Sequence, residues 1–365
     1  MLSIRRFYLT FVSFFCRIKW YKGICVLLCG GILLCGGCRK ASPPPKPTPS
    51  LKDEEMRGVW LSYIELDAML AADNPEREIA QAMQACADQG LNTVFFHVRA
   101  FGTAYFRSTV WPQVTTAIDP LACALREAHR RGLQLHAWIN PYRIGEKPAD
   151  TTLAFEKGGV WYYDPSQPAV RQSLLDGVRE ILANYDVDGI HFDDYFYPAG
   201  MNPQGEPFEL VPQGMEVTAW RQTQVDALVS GVYGLCRGHD KAFGVSPMAD
   251  HRRAENEGHA NVRRWMTEAG YIDYICPQLY VGFRHQSKPF LPLLAEWVAL
   301  PRRAGVELYI GLALYKVGLT HDPYAGSGAA EWATDEDIIP KQIEAVRDVT
   351  DGYVLFRYGN LIEQK

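Results

Sequence analysis

From residue 56 onward, short runs of β-branched and aromatic residues alternate with amphipathic segments of helical period, and the alternation repeats eight times. The strand candidates are Arg57–Ile64, Asn92–Arg99, Leu133–Ile139, Gly189–Asp193, Ala242–Met248, Ile272–Tyr280, Glu307–Leu314 and Gly352–Phe356. Helical patterns separate them at Pro75–Asp88, Pro120–Arg130, Pro168–Asn184, Glu216–Arg237, Asn261–Glu268, Phe290–Arg303 and Asp335–Val349. The punctuation agrees with this division. Asp119-Pro120 is an N-cap followed by proline at the first helical position, Gly90 and Gly132 close helices, and Thr334 opens an acidic first turn. Strictly alternating elements give a parallel sheet, and eight strands in one domain of this length close as an α/β fold, the (β/α)8 TIM barrel. A doubly wound open sheet is the alternative. Only nine residues follow Phe356, so the eighth helix is expected to be short or missing, with residues around Leu51–Met56 covering the gap.

The first 55 residues are of another kind. Arg5, Arg6, Arg17, Lys19 and Lys22 precede an apolar run from Ile24 to Leu34 that ends in Cys35-Gly36-Gly37-Cys38. A positive start, about ten apolar residues and a small-residue exit describe a secretory signal too short to span a bilayer permanently. Two glycines before a cysteine resemble a lipobox, with residues 1–37 removed and Cys38 acylated. Ser42–Ser50 reads SPPPKPTPS, a polyproline spacer of roughly 3 Å per residue. The expected organisation is a signal peptide (1–37), a lipid-anchored tether (38–55) and the barrel (56–365). That places a monomer in the bacterial cell envelope, on the outer membrane, facing the periplasm or the cell surface.

Net charge is −5, with no basic run after residue 60, which argues against nucleic acid as a partner. Cys86, Cys123, Cys236 and Cys276 remain beyond the signal. Each lies in an apolar pattern, so they are expected as buried free thiols. Cys86 and Cys123 belong at opposite ends of successive parallel helices, too far apart for a disulfide, which needs Cα atoms within about 7 Å.

In this architecture the chemistry sits at the C-terminal ends of the strands. Unusual polar residues gather there: Tyr63, Glu65 and Asp67 after the first strand, His97 and Arg99 on the second, and Trp138, Asn140, Tyr142 and Arg143 on the third. Others are His191, Asp193, Asp194 and Tyr195 on the fourth, Ser246 and Asp250 after the fifth, Gln278 and Tyr280 on the sixth, and Lys316 after the seventh. Charges are costly to bury unless paired or in use, so the shared location marks a site. Strand alternation puts His191, Asp193 and Tyr195 on the inward face and Asp194 on the other. Glycosidic cleavage needs two carboxyl groups, one protonating the leaving oxygen and one attacking or activating water. Asp193 is the natural nucleophile or base. Asp250 is the first choice of acid, with Glu65, Asp67, Glu206 and Glu255 also open; Asp194 has a catalytic or a loop-fixing role. Tyr63, His97, Arg99, Trp138, Asn140, Tyr142, Arg143, His191, Tyr195, Gln278, Tyr280 and Lys316 suit a glycan, by stacking on ring faces or donating to hydroxyls and carboxylates.

Two other readings compete. A metal-dependent polysaccharide deacetylase would also use an Asp-Asp pair, but the chain has no His-x-x-x-His pair, and neither metal nor cofactor is expected. A non-catalytic glycan-binding lipoprotein would keep the aromatic rim without needing paired acid and base.

The blocks MRGVWLSY, FFHVRAFGTAYFRS, HAWINPYR, DPSQPAVRQSLLDGVREILANYDVDGIHFDDYFYP, SPM, DYICPQLYVGF and YIGLALYKVG occur in order from Met56 to about Asn360. Together they resemble the glycosyl hydrolase-like family ten lipoproteins of bacterial envelopes. The resemblance implies a (β/α)8 catalytic domain that hydrolyses O-glycosyl bonds, in some relatives those of peptidoglycan glycan strands. It also implies a catalytic role for Asp193, with Asp194 beside it. The departure is MADHRRAENEGH after the fifth strand, where the family tends to be rich in Gly, Trp, Arg and Asn. The fourth strand is also similar to the family-18 chitinase signature at Asp188, Gly189 and Asp193. There, however, His191 and Tyr195 replace the first inward Asp and the acid Glu.

Overall fold

The computed structural model describes residues 55–363. The signal segment, Cys38, the proline-rich tether and residues 51–54 lie outside them. Eight parallel strands close on themselves: β1 (Met56–Leu61), β2 (Thr93–Ala100), β3 (Gln134–Ile139), β4 (Gly189–Phe192), β5 (Ala242–Val245), β6 (Tyr274–Ile275), β7 (Glu307–Leu312) and β8 (Gly352–Phe356). Closure is the pairing of β1 with β2 on one side and with β8 on the other, Trp60 lying opposite Phe95 and Phe356. This is a (β/α)8 barrel, as the strand count requires.

The helices begin where the caps direct. Asn74 accepts from the Arg77 N–H ahead of Pro75, and Asp119 accepts from the Ala122 N–H ahead of Pro120. Two apolar layers result. Val59, Val94, Phe96, Leu135, Ile190 and Leu308 face the helices, whereas Trp60, Phe95, Trp138, Tyr274, Tyr309 and Val354 fill the interior. Gly244 is set by that interior: a Cβ there would lie 2.2 Å from the Tyr274 ring. Cys86, Cys123, Cys236 and Cys276 are buried and free. After β8 a short helix, Tyr358–Glu363, ends the described chain.

Several boundaries differ from expectation, each for a local reason. The first strand stops at Leu61 because Ser62 and Glu65 form a capping box that opens the helix Tyr63–Leu70. Regular pairing in the fifth and sixth strands ends before Pro247 and Pro277, which have no N–H to donate; isolated bridges resume at Met248, Gln278 and Gly311. Thr334 ends a short helix instead of capping the next, which runs Ile338–Arg347. A three-stranded antiparallel sheet of Arg143–Gly145, Ala154–Lys157 and Val160–Tyr163 follows β3 and has no counterpart among the expected elements. Its hairpin turns at Gly158-Gly159, both at positive φ.

Candidate active site

β4 ends at Phe192, so the strict alternation of a strand no longer separates Asp193 from Asp194. Both line one cavity of about 260 Å³ at the C-terminal mouth of the barrel. The expected opposition of the two side chains is thereby corrected. Trp60, Tyr63, His97, Trp138, Asn140, Arg143, Tyr195, Gln278 and Tyr280 line the same cavity, as do Ser62, Phe101, Ser246 and Phe356. Trp60, Ser62 and Phe356 were not singled out from sequence. Trp60 and Phe356 stand at the last inward positions of β1 and β8, where an aromatic reads as core until the barrel is seen to open there.

Asp193 is 3% exposed and fully hydrogen-bonded. Its Oδ2 accepts from Trp138 Nε1 at 2.9 Å and from the Asn140 amide; its Oδ1 accepts from the Tyr195 N–H at 3.2 Å. A relay orients the Asn140 amide. The Tyr63 N–H donates to His97 Nδ1, leaving His97 Nε2 as donor to Asn140 Oδ1 at 3.2 Å. Burial lowers the pKa of His97 to about 3, so it works as a neutral ring, stacked on Trp138 at 3.7 Å between centroids. Burial first, then the charge of Asp194, raises the Asp193 carboxyl to about 8 against the hydrogen bonds it accepts. Asp194 is also raised by burial, opposed by a hydrogen bond from Gln278 Nε2 at 3.2 Å and by the Arg143 charge. The Arg143 guanidinium lies over the rings of Tyr195 and Phe101, at 4.6 and 4.8 Å. Burial thus raises both carboxyls, Asp193 the further because the charge of Asp194 adds to it.

Five of the expected site residues fall outside the cavity lining. Asp250 caps the helix His251–Asn256, accepting from the Arg252 and Arg253 N–H groups and from Lys288 Nζ at 2.8 Å. Burial opposes ionisation there, yet that ammonium and those N–H groups hold its carboxyl below the ordinary range. An ionised, capped carboxylate is a poor proton donor. His191 lies deeper in the barrel, where Trp60 Nε1 donates to its Nε2 and its Nδ1 meets the Tyr274 hydroxyl at 3.1 Å. Burial holds it neutral, a strut beneath the site. Tyr142 is wholly buried against Phe196. Lys316 donates to the Tyr280 carbonyl and pairs with Asp322 at 2.7 Å. Arg99 lines a neighbouring cavity. The other carboxylates considered as acid are engaged as well: Glu65 with Ser62 and Arg357, Asp67 with Tyr105, Glu206 with Lys157 and Glu255 with Arg263.

A buried aspartate and its half-buried neighbour at the mouth of a (β/α)8 barrel, ringed by indole and phenol groups, define a glycosyl hydrolase-like protein. The chain belongs to the glycosyl hydrolase-like 10 family, whose family model matches residues 55–325. It is 30% identical over 409 residues to the glycosyl hydrolase DigH of Escherichia coli (strain K12), with 91% of each chain covered. To the glycosyl hydrolase YngK of Bacillus subtilis (strain 168) it is 27% identical over 350 residues, covering 81% of this chain and 67% of that one. The glycoside hydrolase domain of PgaB (BpsB) from Bordetella bronchiseptica superposes with a TM-score of 0.57 at 14% identity, covering 85% of this chain and 96% of the other. At that identity the likeness is one of fold.

Proposed function

We propose that this protein is a glycosidase that cleaves O-glycosyl bonds of an envelope glycan, the glycan strands of peptidoglycan being the substrate to test first. The single observation behind the reading is that Asp193 and Asp194 line one aromatic-walled cavity. In this mechanism Asp193, protonated, gives its proton to the glycosidic oxygen as the C–O bond opens. The Asp194 carboxylate meets the positive charge growing at the anomeric carbon; water then adds its hydroxyl there as the new reducing end, and its remaining proton returns to the Asp193 carboxylate. From sequence Asp193 was the expected nucleophile or base; the upward shift of its carboxyl is what favours the acid role in this reading. Arg143 and Gln278 keep Asp194 anionic; Trp138, Tyr195 and Tyr280 supply flat faces for sugar rings. Anchoring at Cys38 and the Pro-rich tether would hold the barrel at a membrane surface facing such a glycan.

Digestion of peptidoglycan strands, with and without stem peptides, followed by mass analysis is the direct test. New reducing ends are the expected product. Loss of acetate without chain cleavage would indicate a deacetylase, and binding with no product a glycan-binding protein.

The pH profile tests the assignment of the proton. Turnover requires Asp193 protonated and Asp194 ionised, so kcat/KM is expected to fall as pH rises through about 8. It should also fall on the acid side, as Asp194 takes up a proton above the ordinary carboxylate range. Residual activity of Asp194→Asn should show the alkaline limb moved to lower pH, since the like charge that helps raise Asp193 is gone. A rate constant from pH 7 to about 9 would remove Asp193 as the acid.

A further inference from the structure

The rings that wall the aspartate cavity do not stop at its edge. Trp138, whose Nε1 donates to Asp193, lies 6.4 Å from Phe356 between ring centroids. Phe356 in turn meets Tyr280 at 5.5 Å and Tyr315 at 5.7 Å, and Tyr280 meets Tyr315 at 5.9 Å. Trp138, Phe356 and Tyr280 line the cavity, whereas Tyr315 stands outside the lining and is 40% exposed. An unbroken run of aromatic contacts therefore leads from a donor to Asp193 out to the open rim, on the side of β7 and β8. Single exposed apolar residues are ordinary on a protein surface, so exposure alone would mean little. Tyr315 differs in continuing a wall that begins inside the site, and in being held there by its neighbours.

Tyr315 is the middle residue of a short 3-10 helix, Leu314–Lys316, that begins just past the end of β7. The next side chain is its clamp. Lys316 Nζ donates to the Tyr280 carbonyl at 2.9 Å and pairs with Asp322 at 2.7 Å, Asp322 being 1% exposed. The other oxygen of Asp322 accepts from the Tyr324 N–H at 3.1 Å, so one carboxylate ties both ends of the loop. The Gly318 N–H donates to the Trp332 carbonyl at 2.8 Å and fastens the turn from the far side. A buried ion pair is costly to form, and its geometric result here is a ring fixed against Tyr280 and Phe356.

We propose that Tyr315 is a stacking platform for a sugar unit of the bound glycan, beyond the units held in the aspartate cavity. The inference rests on the glycan reading above and adds the path by which the chain leaves the cavity, over β7 and β8. The C–H faces of pyranose rings are apolar and pack on flat aromatic rings, while their hydroxyls stay in water at the edges. A part-exposed ring at the rim suits that division. Rings that follow one another at contact distance can receive successive units of one chain. A ring fixed before binding loses little freedom when a sugar lands on it, so the contact is kept as affinity. Lys316, expected from sequence to touch the glycan, acts instead as the positioning residue of Tyr315.

Binding to the full chain carrying Asp193→Asn tests this without turnover, and the digestion experiment shows separately whether the hydrolase reading fails. The probes are peptide-free glycan strands of peptidoglycan, a disaccharide and an octasaccharide, titrated by calorimetry. The octasaccharide is expected to bind about tenfold more tightly, as one added stacking contact would give. Adding Tyr315→Ala should bring its affinity down to about that of the disaccharide, with the urea midpoint close to the parent's. Tyr315→Phe, which keeps the flat face and removes only the hydroxyl, should retain the preference for the longer strand. Equal affinities in the parent, a length preference that survives Tyr315→Ala, or its loss in a folded Tyr315→Phe variant would each overturn the platform. So would a parent that binds neither strand. Cleavage of strands by the wild type alongside any of these results would remove the platform alone and leave the hydrolase reading standing.

Discussion

In an Asp193→Asn variant, glycan cleavage is expected to fall by about 10²–10⁴-fold, while the far-ultraviolet circular dichroism spectrum stays that of the wild type. The size of the loss follows from what the amide removes. It is nearly the shape of the protonated acid and can still accept from Trp138 and Asn140, but it has no proton to deliver to a leaving oxygen. The measurement is release of reducing ends under single-substrate conditions. Full activity in a correctly folded variant would remove Asp193 from the chemistry and return attention to the binding-protein reading. Asp250→Asn is the informative companion. Its carboxylate is spent on a helix cap and Lys288, so that variant should cost stability of about 1 kcal/mol and leave cleavage in place.

Glu209→Gln is expected to lower the free energy of unfolding by about 3–5 kcal/mol, read from urea denaturation. Glu209 and Arg221 form a bidentate pair at 2.8 and 2.6 Å, their side chains 0% and 2% exposed. Arg221 comes from the helix Val217–Gly238; it also donates to the Asn202 carbonyl and lies over the Tyr197 ring at 5.6 Å. Glu209 accepts in addition from the Glu206 N–H. The pair thus folds the long segment after β4 back onto the barrel, next to the aspartates it follows. Removing one charge strands the other in a dry site, and the loss is expected to exceed that of any exposed pair such as Arg253–Glu257. Replacing both, Glu209→Gln with Arg221→Met, should recover much of the loss. An unchanged urea midpoint in the single variant would show that the segment is held by other contacts.

Much of the barrel was legible because its signals are local. Pro75–Asp88 and Pro168–Asn184 occur with the boundaries that their period and leading prolines predict, and Gly352–Phe356 likewise. Where reading failed, a competing local rule had been overlooked. Ser62 and Glu65 spell a capping box within the expected strand Arg57–Ile64, and Gly158-Gly159 spells a hairpin in a segment with no expected element. The site divided in the same way. Residues at or just past the C-terminal end of a strand, such as Trp138, Asn140, Gln278 and Tyr280, reach the cavity because the strand delivers the chain to the mouth of the barrel. Residues whose fate depends on a distant partner did not follow from position: Lys316 is claimed by Asp322, Asp250 by Lys288 and His191 by Trp60 and Tyr274.

By itself the sequence determined the strand count, hence closure, and so the mouth at which functional groups gather; periodicity and capping act over a few residues and are carried by the chain at that point. Only the tertiary structure decided which carboxyls meet and which of them is raised furthest above the ordinary carboxylate range. Those depend on where β4 stops, on the burial of Asp193, and on the donors that β3 brings within reach of it. Electrostatic energies depend on distances between groups far apart in sequence and on the medium between them, and both quantities exist only once the barrel has closed.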